Sequence, residues 1–380
     1  MLRKNKLVIA FGVIFLLLPS LLSLLNYYTD WLFFAETGFS SVFTTTLYAK
    51  TGVGLLFGVT LFAVIVSNLV YSNSVRFPMT GIFVVGGLNL RMQREEAIRL
   101  VKPLSMLVTV VLSLFAGSWG AVQWEDALLF ANGVDVGTVD PVIGKDIGFY
   151  LFSLPFWEAL QGFASFALIA SALLGAALYF VRGGIVLSER GVSIDGKVRR
   201  HLAILVALFG CVVAAGFYLD GFRLMFASNG IFSGAGYVDV NSRLLTYRAL
   251  TFLTPFAGLL LAAGLWKGAW RTALLPPVVL VAIYFIGIRV YPGLLHKFKV
   301  APNELALEIP YIESNIKFTR FGYDLEKIET IPFDVDTKLS AVDIANNDAT
   351  IKNIRLWDHA PLLKTYSQLQ QIRTYYKFFD

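Results

Sequence analysis

Long apolar stretches constrain the fold of this chain more than any other feature of its sequence. Seven of them come close to or exceed the roughly 20 residues that an α-helix needs to cross the hydrocarbon core of a bilayer. These stretches are Leu7–Asn26, Thr51–Tyr71, Leu104–Gln123, Ala159–Val181, Leu202–Leu219, Ala249–Trp266 and Thr272–Ile288. Charged residues make up only 15% of the chain, against ~25% in soluble proteins. The sequence therefore predicts an all-α polytopic membrane protein with about seven transmembrane helices, surrounded by the lipid bilayer.

The first stretch has two interpretations. Arg3, Lys4 and Lys6 precede it, as in the basic region of a signal peptide. Its apolar run is long, however, and no A-x-A-like cleavage site follows it. Both features favour an uncleaved membrane anchor.

The distribution of Lys and Arg predicts the orientation of the chain. The N-terminal segment and the loops at 72–103, 182–201 and 267–271 hold 15 basic and four acidic residues. The alternate loops at 27–50, 124–158 and 220–248 hold five basic and ten acidic residues. Short loops rich in Lys and Arg stay on the cytoplasmic side of a membrane. We therefore expect a multi-pass protein of the cell membrane with a cytoplasmic N-terminus, and seven crossings place the residues after Leu294 outside.

A polar segment follows the last apolar stretch and predicts a second domain. We divide the chain into a seven-helix transmembrane domain at 1–294 and, at 295–380, the N-terminal part of an extracytoplasmic α+β domain. Pro302 precedes an acidic residue, as at a helix start, and Asp358 is placed to cap a helix that begins at His359. The apolar face of that helix needs a cover, which favours a truncated domain. The candidate domain-interface residues are Trp357, Asp358, Leu362, Leu363, Tyr366, Leu369 and Ile372.

Two of the predicted outer loops, 30–43 and 140–160, combine aromatic residues with Asp, Glu and Gly. Aromatic rings with a polar edge settle at the depth of the lipid headgroups, so these loops are expected to lie along the membrane surface. The alternative is a lipid or substrate groove formed by the two loops. The residues concerned are Trp31, Phe33, Phe34, Phe149, Tyr150, Phe152, Phe156 and Trp157.

Ionisable residues are missing from the centres of the predicted spans, which argues against a proton-coupled carrier or a pump. His201, Asp220, Arg248 and Arg289 lie at or near span ends, where side chains reach water and headgroups. The sequence has no P-loop, GxSxG or HExxH motif, a single cysteine, and three widely separated histidines. We predict no catalytic residue, no cofactor and no metal site. The net charge of +6 arises in the membrane part, so no nucleic-acid partner is expected.

Two further patterns predict local structure. Residues 88–101 place apolar and basic side chains at helical spacing, which favours an amphipathic helix on the inner membrane surface. Gly54 and Gly58 form a small-xxx-small pair, which allows close contact between helices within the chain.

Four stretches of the sequence resemble the UPF0182 family of bacterial membrane proteins. They are "YYTDWLFFAETGFSSVF" at 27–43, "DPVIGKDIGFYLFSLPF" at 140–156, "APNELALEIPYIESNIKFTRFGYDL" at 301–325 and "NIRLWDHAPLLKTYSQLQQIRTYYKF" at 353–378. The resemblance implies several N-terminal spans followed by a large extracytoplasmic region, in proteins more than twice this length. It implies no activity and no catalytic residue.

Three functions stay open on this basis. The first is a non-enzymatic envelope anchor that presents an extracytoplasmic interaction domain, with envelope proteins or lipids as partners. The second is a transporter or lipid-handling protein. The third is an enzyme whose catalytic part lies in the remainder of a longer chain, with Trp357, Asp358 and His359 at its edge. The oligomeric state is not predicted.

Overall fold

The structure is a computed structural model that describes residues 24–75, 82–85, 90–188, 191–228, 232–333, 338–355 and 358–370. Residues 24–36 are helical and are called α1. The other α-helices are α2 (Ser40–Ser74), α3 (Arg94–Val122), α4 (Trp124–Ala131), α5 (Leu154–Arg182), α6 (Gly196–Arg223), α7 (Leu244–Lys267), α8 (Trp270–Ala273), α9 (Leu275–Phe285), α10 (Tyr291–Leu295), α11 (Glu304–Gly322), α12 (Ala341–Asn346), α13 (Asp348–Asn353) and α14 (His359–Gln370). The strands are β1 (Ile82–Val85), β2 (Leu90–Gln93), β3 (Ile185–Ser188) and β4 (Gly191–Ile194).

Six helical runs of the described chain are long and apolar enough to cross a membrane. They are Ser40–Ser74, Glu96–Val122, Phe149–Arg182, Gly196–Phe226, Asp239–Lys267 and Arg271–Gly322. Each contains one of the stretches predicted as the second to seventh spans, apart from the last residue of the stretch that ends at Gln123. The mostly helical membrane fold is therefore supported. The first predicted span lies outside the described residues except for 24–26, so the count of seven stays a prediction.

Glycine permits a close helix contact between α2 and α3. A Cβ atom on Gly54 would lie 2.9 Å from the carbonyl oxygen of Gly117, and one on Gly58 would lie 3.0 Å from that of Ser113. This confirms the close contact predicted from the Gly54 and Gly58 spacing. Lipid tails are as apolar as leucine side chains, so membrane helices associate through such close van der Waals contact and not through the hydrophobic effect.

A shared core joins α2, α3 and α5. Phe57 and Phe163 meet edge to face, with ring centroids 4.7 Å apart, and Leu61, Ile65 and Leu178 are fully buried beside them. A second close crossing joins α6 and α7, where a Cβ on Gly210 would lie 3.1 Å from the Cα of Gly258.

Two β-hairpins replace parts of the predicted inner loops. β1 pairs with β2, and β3 pairs with β4, both antiparallel. The predicted amphipathic helix at 88–101 is therefore wrong in its first part, since 90–93 form β2 and α3 begins only at Arg94 and continues into the membrane span. The physical reason is local, because Leu90, Arg91, Met92 and Gln93 alternate apolar and polar residues with the two-residue period of a strand.

His201 differs from its predicted place at a hydrated span end. It is only 8% exposed, with its Nδ1 2.9 Å from the Tyr179 hydroxyl and its Nε2 2.9 Å from the Asn68 side-chain oxygen. Arg182 donates from Nη1 to the carbonyl oxygen of Ser72 at 2.8 Å. These contacts give partners to both ring nitrogens of His201 and to the Arg182 guanidinium, and they join α2, α5 and α6, so this cluster stabilises helix packing.

The last apolar stretch is the beginning of a longer helical run. Helical turns continue without a break from Arg271 to Gly322, with Pro276 and Pro277 in the first turn of α9 and Pro310 inside α11. The predicted helix start after Pro302 is therefore wrong, because α11 begins at Glu304 directly after a π-helical turn and a 3₁₀ turn of the same run.

The chain divides into two compact units, Met1–Thr319 and Arg320–Asp380. In the described residues of the second unit the regular elements are helices, and α14 begins at His359, as predicted. The backbone N–H of Leu362 donates to the carbonyl of Asp358, whereas a cap by the Asp358 side chain stays a prediction. Residues 371–380 lie outside the described residues, so the α+β character of this region and the boundary at residue 294 both stay predictions.

Candidate functional site

Two neighbouring cavities lie where α11 passes the beginnings of α5 and α7. The apolar cavity has a volume of about 280 Å³ and is lined by residues of 140–151, 225–226, 232–235 and 311–318. The polar cavity has a volume of about 370 Å³ and is lined by residues of 232–243, 288–296 and 304–308. Phe232 lines both. The cavities are therefore adjacent and differ in chemistry.

All four π-helical turns of the described chain contribute to the walls of these cavities. The turns are Phe149–Ser153, Asp239–Arg243, Ile286–Val290 and His296–Val300. The residues that they supply include Tyr150, Arg243, Arg289 and His296. Such turns are rare and occur mostly as single-turn bulges at functional sites. Their concentration here marks the two cavities as the candidate functional site.

Asp140 organises the loop that forms one wall of the apolar cavity. Its Oδ1 accepts hydrogen bonds from the backbone N–H groups of Val142 (2.9 Å) and Ile143 (2.6 Å). Its Oδ2 accepts from the backbone N–H of Lys145 (2.9 Å) and from the Tyr150 hydroxyl (2.8 Å). Asp140 is only 8% exposed, so four donors in a protected site share one carboxylate. The loop is therefore held in one conformation against the start of α5.

Two of the acidic residues beside the polar cavity are satisfied within the chain. Asp239 is fully buried and accepts a hydrogen bond from Arg243 Nη1 at 2.5 Å. Glu308 accepts from the backbone N–H of Tyr237, at 3.2 Å to Oε1 and 3.0 Å to Oε2. The contact between Glu308 and Tyr237 fixes α11 against the loop at 232–238.

Two charges on the polar cavity wall remain free of such contacts. Arg289 and Glu304 both line the cavity and are exposed. Neither forms a hydrogen bond or an ion pair with any residue in the part of the chain that the structure describes. The cavity therefore offers one unpaired positive and one unpaired negative group to a ligand.

Asp146 holds the other side of the 136–148 loop and makes the loop sensitive to acid. Backbone N–H groups of Val136, Gly137 and Gly148 donate to its carboxylate at 2.9, 2.8 and 2.7 Å. These hydrogen bonds, that of Val136 first, lower the pKa of Asp146 below its ordinary value of 3.8. Since the folded pKa is the lower one, the contribution to stability is complete above pH 3.8 and is lost as the pH falls through the folded value.

We expect Asp146→Asn to unfold at a lower temperature than the parent protein near neutral pH, and this difference to shrink below pH 3.8. Thermal unfolding of both proteins in detergent across a pH series measures this difference in unfolding temperature. Asp135→Asn is the control, because Asp135 is exposed and accepts no hydrogen bond among the described residues. A difference between the Asp146 variant and the parent that stays constant down to pH 3 contradicts the assignment.

The comparison with known proteins places this chain in a family. A model of the uncharacterised protein family UPF0182 matches residues 7–380. A UPF0182 protein of Geobacter sp. strain M21 is 66% identical over 378 residues, which cover 100% of this chain and 42% of the relative. The chain belongs to the UPF0182 family. A UPF0182 protein of Pelobacter propionicus is 67% identical over 99% of this chain and 42% of the relative.

A more distant UPF0182 relative, from Trichodesmium erythraeum, is 32% identical over 99% of this chain and 41% of its own length. The chain thus spans about two fifths of the length of the curated relatives that it matches. No solved structure matches the chain. Two of the four stretches by which the sequence resembles UPF0182, at 140–156 and 301–325, supply walls of the cavities.

The aromatic residues predicted at the membrane surface of this UPF0182 chain occupy several places. Within α1, Trp31 stacks on Tyr28 and Phe33 meets Phe34 edge to face, and Phe34 contacts Phe43 of α2. Phe156 and Trp157 pack on Phe130 of α4, and Phe149 packs on Phe222. Phe152 is half-buried. Among these aromatic residues only Tyr150 lines the apolar cavity, where it is 7% exposed and bonds to Asp140 instead of facing lipid. An interfacial or groove role for these residues stays a prediction.

The candidate domain-interface residues lie partly on α14. Leu362 and Leu363 are half-buried, whereas Tyr366 and Leu369 are 45% and 67% exposed. Trp357 and Ile372 lie outside the described residues. The exposed apolar side chains agree with a helix that needs a further cover, and the role of these residues stays a prediction.

The polar cavity is not predicted by the sequence. The apolar stretches mark Arg289 only as a residue at a span end, and they give no reason to select Arg243, Glu304 or Glu308. A usable signal exists, because Arg243 and Arg289 each adjoin an apolar helix, α7 or α9. No group of three or more His, Cys, Asp or Glu residues suited to a metal ion is present in the described ranges.

Proposed function

We propose that this UPF0182 protein is a multi-pass anchor of the bacterial cell membrane that presents the residues after its last span on the outer side, as an interaction domain for envelope proteins or lipids. The helical run Arg271–Gly322 carries the proposal. Its 52 residues correspond to ~78 Å along the helix, more than twice the ~30 Å of a bilayer core. The run therefore has enough length to cross the membrane and to continue well beyond it.

Contacts along α11 support a presenting role, because they hold the outgoing helix in place. Glu308 accepts hydrogen bonds from the Tyr237 backbone, and Asn315 Nδ2 donates to the carbonyl of Ser233 at 2.6 Å. The two contacts are seven residues apart on α11, so they restrain both its position and its rotation. A helix restrained in this way suits the anchoring part of such a protein.

The charge distribution supports the outer side. Cytoplasmic loops hold an excess of Lys and Arg. The loops on the side assigned to the cytoplasm hold 15 basic and four acidic residues, whereas the opposite loops hold five and ten. The segment 295–380 carries a net charge of −1 and offers little resistance to translocation.

Labelling of single cysteines tests the orientation. The Cys211→Ala protein receives either Ser367→Cys, in α14, or Ser193→Cys, an exposed position in β4, and intact cells or spheroplasts are treated with a membrane-impermeant maleimide. We expect labelling at position 367 and none at 193 until the membrane is opened with detergent. Labelling at 193 alone overturns the orientation and the presenting role with it.

A further inference from the structure

The polar cavity carries opposite charges that neutralise neither each other nor any described neighbour. Arg289 and Glu304 both line it, and neither has an ion-pair partner among the described residues. Arg243 is already engaged by the buried Asp239, and Glu308 by the backbone of Tyr237. The free side chains of the cavity, among the described residues, are therefore the guanidinium of Arg289, the carboxylate of Glu304 and the imidazole of His296.

The balance of charge selects the kind of ligand. A purely anionic group that approaches Arg289 also meets the carboxylates of Glu304 and Glu308, which repel it. A purely cationic group that approaches Glu304 is repelled by the guanidinium groups of Arg243 and Arg289. A zwitterion satisfies both, since guanidinium groups bind phosphate through paired hydrogen bonds and a carboxylate accepts from an ammonium group.

The position of the cavity adds a second constraint. Arg243 directly precedes α7, a mostly apolar helix, and Arg289 follows the apolar helix α9. The cavity therefore lies where membrane-crossing segments meet the headgroup region, whichever side of the membrane this is.

The apolar cavity adds a third constraint. It adjoins the polar cavity through Phe232 and is lined by the rings of Tyr150, Phe226 and Phe318. A ligand that fills both cavities needs a charged end and a hydrocarbon end. Phe226 is 61% exposed, so the apolar cavity is accessible from outside the protein.

We propose that the two cavities together bind a phospholipid with a zwitterionic phosphoethanolamine headgroup. The phosphate lies against Arg289, the ammonium group lies against Glu304, and part of one acyl chain enters the apolar cavity. This site is distinct from the anchoring role, because it needs no particular orientation of the chain in the membrane.

Lipid binding to the purified full chain in detergent tests the proposal by native mass spectrometry and by thermal stabilisation. The probes are phosphatidylethanolamine, phosphatidylglycerol with the same acyl chains, and water-soluble phosphoethanolamine. We expect phosphatidylethanolamine to bind about fivefold more tightly than phosphatidylglycerol, a modest factor because both charges are exposed. Soluble phosphoethanolamine is expected to bind far more weakly than the lipid, because it leaves the apolar cavity empty.

Two variants and a matched control assign the binding to this site. Arg289→Gln is expected to weaken phosphatidylethanolamine binding about fivefold. Glu304→Gln is expected to remove the preference over phosphatidylglycerol. Arg248→Gln is the control. Arg248 is an exposed arginine, like Arg289, but it lies on α7 and lines neither cavity. Since Arg289 and Glu304 make no described ion pair, all three variants are expected to fold, which size-exclusion chromatography verifies.

Three results overturn the proposal. Equal or tighter binding of phosphatidylglycerol to the parent protein excludes a zwitterion site. If Arg289→Gln and Arg248→Gln weaken phosphatidylethanolamine binding equally, the lipid binds elsewhere. If soluble phosphoethanolamine binds as tightly as the lipid, the acyl chain does not contribute to binding at this site. None of these results bears on the labelling experiment, so the two proposals fail independently.

Discussion

Gly54→Leu is expected to lower the free energy of unfolding by ~3 kcal/mol, as overpacking of a tight core does. Any side chain at this position starts with a Cβ that lies 2.9 Å from the carbonyl oxygen of Gly117 and 3.1 Å from the Cβ of Ala121. The nearest of these atoms belongs to the backbone of α3 and has no rotamer by which to move aside. The two helices must therefore separate, and the core that they share with α5 loosens.

Gly52→Leu is the matched control for this variant. Gly52 lies in the same helix and is exposed, and a Cβ added to it would have no neighbouring atom within 4 Å. Both substitutions gain ~1 kcal/mol of helix propensity, so their difference isolates the packing effect. Denaturant titration in mixed micelles measures the free energy of unfolding of both variants. If the Gly54 variant is as stable as the Gly52 variant, the close crossing of α2 and α3 is wrong.

Asp140→Ala is expected to cost ~3 kcal/mol of stability and to change the loop that borders the apolar cavity. The substitution leaves three backbone N–H donors and the Tyr150 hydroxyl without their acceptor, in a place where Asp140 itself is 8% exposed. Unfolding in mixed micelles measures the loss. Limited proteolysis between residues 135 and 148 is expected to become faster, because the loop loses its internal hydrogen bonds.

A second substitution measures how much of this stability comes from the Tyr150 hydroxyl alone. Tyr150→Phe removes one of the four donors and leaves the backbone contacts intact, so it is expected to cost only ~1 kcal/mol. Asp135→Ala, on the same loop and exposed, is expected to change stability by less than ~0.5 kcal/mol. Equal losses for Asp140→Ala and Asp135→Ala refute the organising role of Asp140.

The apolar stretches are sufficient to locate six helical runs of the described chain. A bilayer leaves unpaired backbone groups no water to bind, so ~20 apolar residues in sequence have few alternatives to a helix. The spacing of Gly54 and Gly58 is likewise enough to predict close packing, because only a helix face without side chains allows such an approach. Both predictions rest on local properties of the chain.

Polar residues are harder to interpret. His201 lies at the edge of an apolar stretch, and its position predicts contact with water, whereas the structure buries it between Asn68 and Tyr179. Its partners are 133 and 22 residues away along the chain. Whether a polar side chain at a span end is hydrated or buried depends on which helices flank it, and no pattern within one helix contains that information.

The sequence by itself determined the class of this protein, the positions of its described membrane helices and, through four stretches, its membership of the UPF0182 family. Only the tertiary structure decided that 140–151, 232–243 and 288–318 meet around two cavities, and that Arg289 and Glu304 face the same space without a described partner. The physical reason is that helices in a membrane choose their neighbours by close surface fit rather than by an apolar stripe. The residues that such a fit brings together are distant in sequence and leave no periodic signal there.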